Sequence, residues 1–147
     1  MAPVIDHLGF RVRDLAAARR FYDAAMPAIG LAVADNTEES FVVGISAGEP
    51  IPFVWIGTQR PAFWTEASET SRSPIHLAFS ATSEEQVRAF HRAAIEAGGT
   101  DNGKPGPRGP AEMNYFAAFV LDPDGNNIEA VHHGDANRSA ASIKITF

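Results

Sequence analysis

Two histidines and one glutamate carry most of the chemistry that this chain of 147 residues could do. His7 opens the run His7-Leu8-Gly9-Phe10, and His76 opens His76-Leu77-Ala78-Phe79. Glu129 follows the turn sequence Asp122-Pro123-Asp124-Gly125. Two neutral imidazoles and a carboxylate form a facial ligand set for a divalent ion, leaving positions open for substrate and water. An ion held this way acts as a Lewis acid on substrate oxygens, stabilising an enolate or alkoxide as it forms. The chain has no cysteine, which excludes thiolate metal sites, disulfides and a cysteine nucleophile.

The elements that would position these groups occur twice. Shifted by 69 positions, residues 7–30 fall on residues 76–99 without a gap and with nine identities, including the His-Leu-x-Phe start, Arg19 on Arg88 and Phe21 on Phe90. A duplicated unit fixes architecture before any motif is considered. In each half a short strand (4–12, then 75–81) leads to a helix, with Asp14 as one N-cap and Thr82 with Glu85 as a capping box for the other. Leu15, Ala18, Phe21, Tyr22 and Ala25 recur at helical spacing, as do Val87, Phe90, Ala94 and Ile95. Pro27 shortens or kinks the first helix, and Gly30 and Gly98-Gly99 stop the two helices.

Strands follow at 31–35, 40–46 and 51–58, with Gly48-Glu49-Pro50 turning between the last two. In the second half they lie at 115–121 and 128–132, joined by the Asp-Pro-Asp-Gly turn. Residues 59–74 read as a linker. The Gly- and Pro-rich stretch 100–112 reads as an irregular loop, a candidate pocket lid, and one strand of the second half has no clear place. Within the first strand of each half, alternation puts Leu8, Phe10 and Val12, and again Leu77 and Phe79, under the helices. His7, Gly9 and Arg11, and again His76, Ala78 and Ser80, face the other way. Parity alone does not decide the face of Glu129.

Composition limits the function classes. The chain is 45% hydrophobic and 20% charged, an ordinary balance for one globular domain spanning 1–147. Twelve basic against eighteen acidic residues give a net charge of −6, with no basic cluster of the kind nucleic acid requires. No apolar run approaches the roughly 18 residues that span a bilayer, and the first residues lack the pattern of a secretory leader. The expectation is a soluble cytoplasmic protein with a small-molecule substrate.

The run from His7 to Asp14, followed by Arg20-Phe21-Tyr22, resembles the opening of the vicinal oxygen chelate superfamily of glyoxalases, bleomycin-resistance proteins and extradiol dioxygenases. The segment 119–129 is similar to its closing Asp-Pro-x-Gly-x-x-x-Glu signature. The resemblance covers about residues 4–133 and implies an α+β fold of two βαβββ modules, about 4–58 and 75–133, forming a curved mixed sheet as a cup around a metal. Residues 134–147 form a tail outside it. The resemblance implies His7 and His76 as nitrogen ligands, Glu129 as the carboxylate ligand and catalytic group, and one divalent ion (Fe, Mn, Ni or Zn). It implies that Arg11 binds a substrate anion; Trp55 and Tyr115 are read as further candidate substrate contacts.

Subfamily signatures are incomplete. Glyoxalase I enzymes take a fourth ligand from the last strand of the first module, where this chain has Ile51-Pro52-Phe53-Val54-Trp55-Ile56. Extradiol dioxygenases carry a Tyr at the place of Phe119 and a His where Pro110, Ala111 and Glu112 stand. The reaction is therefore left at the level of lyase, isomerase, transferase or dioxygenase chemistry on vicinal oxygens. The alternative is a non-catalytic bleomycin-resistance-like binding protein, with Phe53, Trp55, Phe63 and Trp64 lining an aromatic groove. His91 reads as a solvated helix residue, and His132-His133 lies too far along its strand to share the metal of Glu129. The apolar strand at 51–56 and the alternating tail point to a homodimer, with sites formed within one chain or shared between two.

Overall fold

The computed structural model describes residues 5–46, 49–67 and 74–134. The tail expected to alternate as an edge strand, part of the linker and the Gly48 turn lie outside the described residues.

Each half is a βαβββ unit. The first comprises β1 (His7–Arg11), α1 (Leu15–Ala25), a 3₁₀ turn (Pro27–Ile29), β2 (Ala32–Thr37), β3 (Ser40–Ser46) and β4 (Glu49–Gly57). The second comprises β5 (His76–Ser80), α2 (Glu84–Glu96), β6 (Thr100–Arg108), a 3₁₀ turn (Ala111–Met113), β7 (Tyr115–Leu121) and β8 (Asn127–His132). The sheets have the orders β1-β4-β3-β2 and β5-β8-β7-β6, so the last strand of each unit returns parallel to the first and antiparallel to the third. Both sheets are mixed, and the shared topology is what the sequence repeat predicts. No helix among the described residues is long and apolar enough to cross a membrane.

Local signals explain most boundaries. Asp14 caps α1, its side chain accepting from the Ala17 N–H at 3.0 Å. Gly30 ends the 3₁₀ turn at φ 79°, a left-handed position that glycine adopts without steric cost. The α2 cap is a correction. Ser83, not Thr82, takes the N-cap role and accepts from the Gln86 N–H, while Gln86 Oε1 accepts from the Thr82 N–H at 2.8 Å. This is the reciprocal logic of a capping box moved by one residue, and Ser83 is the repeat partner of Asp14.

The stretch 100–112 is a second correction. Its first nine residues are β6, the strand with no clear place in the sequence, paired antiparallel to β7 with register shifts at Asp101/Gly103 and Gly103/Gly106. Pro105 and Pro107 lack N–H donors, which an edge strand tolerates because no further strand needs them. Bulges and prolines remove the period-2 pattern by which strands are read.

The modules share one core. α1 packs on α2, and one cluster of buried residues includes Phe10, Phe21, Tyr22 and Ile56 from the first half with Phe90, Val120 and Ile128 from the second. Tyr22 crosses between modules, its hydroxyl donating to Asp122 Oδ2 at 2.8 Å, with both residues buried. Arg13 also crosses, donating to Asp124 Oδ1 from its backbone N and its Nε, each at 3.0 Å. Each sheet turns its helix-covered face to this core. Phe10 and Val12 are buried as alternation predicts, whereas Leu8 remains 39% exposed at the edge.

Candidate metal centre

Strand register brings His76 to Glu129. In the parallel β5–β8 pair His76 is opposite Asn127, and Ala78 is opposite Glu129. His76 and Glu129 are thus diagonal neighbours on one face, which settles the direction of Glu129 that parity left open. His76 Nε2 lies 3.1 Å from Glu129 Oε2. Two donors at right angles, each about 2.1 Å from a shared ion, stand about 3.0 Å apart, so the pair fits adjacent coordination positions. A hydrogen bond between the two groups has the same length, so the arrangement holds together without an ion.

The closing turn builds this half-site. Asp122 accepts from the backbone N–H groups of Asp124 and Asn126, each at 2.9 Å, and from the Asn126 side chain at 3.0 Å. Asn126 Oδ1 accepts from the Ile75 N–H at 3.1 Å, fixing the start of β5 beside the start of β8. The carbonyl oxygen of Asn127 lies 3.2 Å from His76 Nδ1 and its side-chain amide 2.9 Å from the same atom. With the amide donating to Nδ1, Nε2 carries the proton and donates to Glu129 Oε2; ligation through Nε2 would use the other tautomer, with Nδ1 donating to the Asn127 carbonyl. The signature therefore has a physical content beyond its glutamate: Asp122 shapes the turn, Asn126 sets the register and Asn127 orients the imidazole.

Glu129 is 1% exposed. Its Oε1 accepts a short hydrogen bond from the Tyr115 hydroxyl, leaving Oε2 for His76. Burial first, then the hydrogen bond to Glu129 and its charge, raise the Tyr115 pKa, and Arg108 opposes the shift. The phenol stays a donor.

His7 occupies the equivalent place in the first module but stands apart from the pair. Among the described residues, no three His, Cys, Asp or Glu side chains come close enough to hold one ion. His7 instead bonds Asp6 Oδ1 through Nδ1 at 2.6 Å and stacks on Phe53, with centroids 5.0 Å apart and planes 8° apart. The Asp6 contact leaves Nε2 available. Among the described residues, His7 therefore does not join the His76–Glu129 pair. The cause is the shared core: both modules turn their helix sides to it and leave their histidine-bearing faces on the other side of each sheet.

Arg11 has the parity of His7 on β1. Its Nε donates to the Thr58 carbonyl at 2.6 Å and its guanidinium lies 5.8 Å from the Trp64 ring centroid. Trp55 is opposite Gly9 in the ladder, and its indole lies over that glycine on the same face. Since Gly9 corresponds to Ala78, Trp55 takes the place in the first module that Glu129 takes in the second. An indole stands where a fourth ligand would be sought. Phe63 is 83% exposed on the linker.

Three side chains differ from their sequence readings or escaped them. His91 is not solvated: its side chain is 14% exposed and its Nε2 lies 2.8 Å from Asp101 Oδ1. His133 packs its ring 5.1 Å from that of Tyr115. Arg108, hidden in the supposed loop, lies over Phe119 on the face of Tyr115. A cavity of about 260 Å³ has Tyr115, Arg108, Phe116, His132 and Glu84 among its walls.

Two βαβββ units, each with a histidine on its first strand, define the glyoxalase-like fold class. Residues 4–130 match the Glyoxalase/Bleomycin resistance protein/Dioxygenase superfamily. The chain is 31% identical to a glyoxalase/bleomycin resistance protein from Albidiferax ferrireducens T118, over 87% of this chain and 97% of that one, with a TM-score of 0.65. A glyoxalase/bleomycin resistance protein/dioxygenase family enzyme from Burkholderia phytofirmans PsJN shares the fold at 19% identity, over 87% and 97% of the two chains, with a TM-score of 0.63. A glyoxalase-related enzyme from Fulvimarina pelagi shares it at 18% identity, over 86% of each chain, with a TM-score of 0.64. Comparison with curated proteins gives no match. The chain belongs to the glyoxalase/bleomycin resistance protein/dioxygenase superfamily.

Proposed function

We propose that this protein is a metal-dependent enzyme acting on a small molecule with two adjacent oxygens, and that it works as a homodimer. Each metal site would combine His7 of one subunit with His76 and Glu129 of the partner subunit. The observation that carries the reading is the pairing of His76 Nε2 with the buried Glu129 carboxylate at 3.1 Å while His7 stands apart. One chain supplies two ligands at one place and the third at another, and an isologous dimer closes two such sites at once. Exposed apolar surface supports a partner: Ile45 is 56% exposed and Leu8 39%, and Phe53 and Trp55 lie half-buried on the open face of the first sheet.

The bound ion would supply Lewis acidity to the two chelating oxygens. Glu129, desolvated and fixed by Tyr115, provides one ligating oxygen and a carboxylate next to the substrate. His76, oriented by Asn127, and His7, oriented by Asp6, complete a mixed imidazole–carboxylate set, which accepts Fe(II), Mn(II), Ni(II) or Zn(II). Arg11 would take an anionic part of the substrate, with Trp55 and Tyr115 as walls.

The aromatic face of Phe53, Trp55 and Trp64 also suits a drug-sequestering protein without a catalytic metal. Elemental analysis separates the two. The enzyme reading expects one ion per chain in the wild type, and its loss in His7→Ala and His76→Ala with circular dichroism unchanged. Full occupancy in both variants, or a wild type that takes up none of the four metals, would leave the sequestering reading.

A further inference from the structure

Two arginines among the described residues are half-buried, Arg19 and Arg108. Arg19 is compensated twice, by Asp23 and by Asp35. Arg108 meets no carboxylate among the described residues. Its Nη1 donates to the Pro107 carbonyl at 3.1 Å and its Nη2 to the Lys104 carbonyl at 2.5 Å. Carbonyls fix the direction of a guanidinium without neutralising it, and desolvating an unpaired charge is costly. Such a charge is suited to an anion that arrives from outside.

The surroundings hold Arg108 in this pose. Its guanidinium carbon lies 5.5 Å from the Phe119 ring centroid, and His76 lies on the same ring at 6.3 Å between centroids. Gly103 and Gly106 lie beneath the guanidinium: a Cβ on Gly106 would come within 3.2 Å of Nη1, and one on Gly103 within 3.4 Å of Nη2 and 2.9 Å of the Phe119 ring. The glycines that make β6 unreadable as a strand leave the room in which Arg108 lies back along its own strand onto Phe119. Register places Arg108 opposite Tyr115, and Phe119 opposite Glu129. The face thus runs from His76 and Glu129, across Phe119, to a fixed positive charge.

We propose that Arg108 is an anion-binding residue of this face, taking an oxyanion carried by a small molecule bound beside the His76–Glu129 pair. Its planar fork suits a carboxylate, phosphonate or phosphate. The inference rests on the reading above that the His76–Glu129 face is the substrate face, and it assigns the distal anion contact to the second module, separate from Arg11. A guanidinium that merely covered Phe119 would show no anion selectivity.

The test uses phenylphosphonate, an aromatic oxyanion, with benzyl alcohol as the uncharged control. Titration into metal-free, ¹⁵N-labelled protein follows the arginine Nε–H resonances. Saturable movement of the Arg108 resonance is expected with phenylphosphonate and not with benzyl alcohol. Arg108→Met, which keeps an apolar cover on Phe119, should weaken phenylphosphonate binding at least tenfold. Arg108→Lys should recover part of it, and Arg92→Met, on the outer face of α2 where Arg92 pairs with Glu85, should leave it within twofold. Unchanged binding in both Arg108→Met and Arg108→Gln, or a saturable shift confined to Arg11, overturns the assignment. Metal uptake measured on the same preparation tests the metal reading separately, since the phenylphosphonate titration requires no ion.

Discussion

Replacing Tyr22 by Phe removes one hydroxyl at the junction of the two modules and leaves the ring packing intact. The hydroxyl donates to Asp122 Oδ2 at 2.8 Å, and Tyr22 and Asp122 are 0% and 4% exposed. Burial, followed by the charge and hydrogen bond of Asp122, raises the Tyr22 pKa well above its usual value, so the donor is never lost by ionisation. A hydrogen bond to a charged group contributes about 1.5–3 kcal/mol. Three further donors still reach Asp122, two from backbone and one from Asn126, so the lower half of that range applies. The expected loss is about 2 kcal/mol, or about 4–8 °C in Tm at this size. Urea denaturation at one fixed protein concentration should show a lower midpoint and an unchanged slope. A double-mutant cycle with Asp122→Asn should return at least 1 kcal/mol of coupling. A single-mutant loss below about 0.5 kcal/mol with no coupling would show that the junction is held by apolar packing and that this bond contributes nothing.

Other perturbations probe the site and the surface. Tyr115→Phe deletes the donor on Glu129 Oε1 and should weaken divalent-metal affinity by about 10–100-fold, read by competition with a chromophoric chelator, with the fold retained; equal affinity would show that Glu129 needs no outer support. The Asp101 carboxyl is held below its usual range, first by the hydrogen bond to His91 and then by the Gly103 N–H. A carboxyl depressed in the folded state contributes stability above its unfolded pKa of about 3.9 and loses it as pH falls through the lower folded value. Asp101→Asn should therefore flatten the acid side of the stability–pH curve below about pH 5, and an unchanged curve would refute the assignment.

The sequence was most legible where one residue pattern served both structure and chemistry. The repeated His-Leu-x-Phe start gave the first strand of each module and the faces of His7 and His76, and the turn before Glu129 marked the β7–β8 hairpin. The direction of Glu129 was not legible, because it depends on the β5–β8 register, which Asn126 sets through a bond to Ile75. β6 was missed because its glycines and prolines erase alternation, and Arg108 was missed with it. Ser83 was legible in principle, since the 69-residue shift carries Asp14 onto it, but Thr82 matched a local rule. The separation of His7 from the other two candidates depends on how the modules pack through α1 and α2, and no local pattern reports that.

The central claim is that each metal is shared between two chains, and mixing inactive subunits tests it most directly. His7→Ala and Glu129→Ala chains, each binding no metal alone, are combined, allowed to exchange, and the heterodimer isolated by two different tags. Shared sites predict one ion per heterodimer, because one of its two sites keeps His7 from the Glu129→Ala chain and His76 with Glu129 from the other. A proven heterodimer that binds no metal would contradict the account, since a site shared between chains must reappear in it.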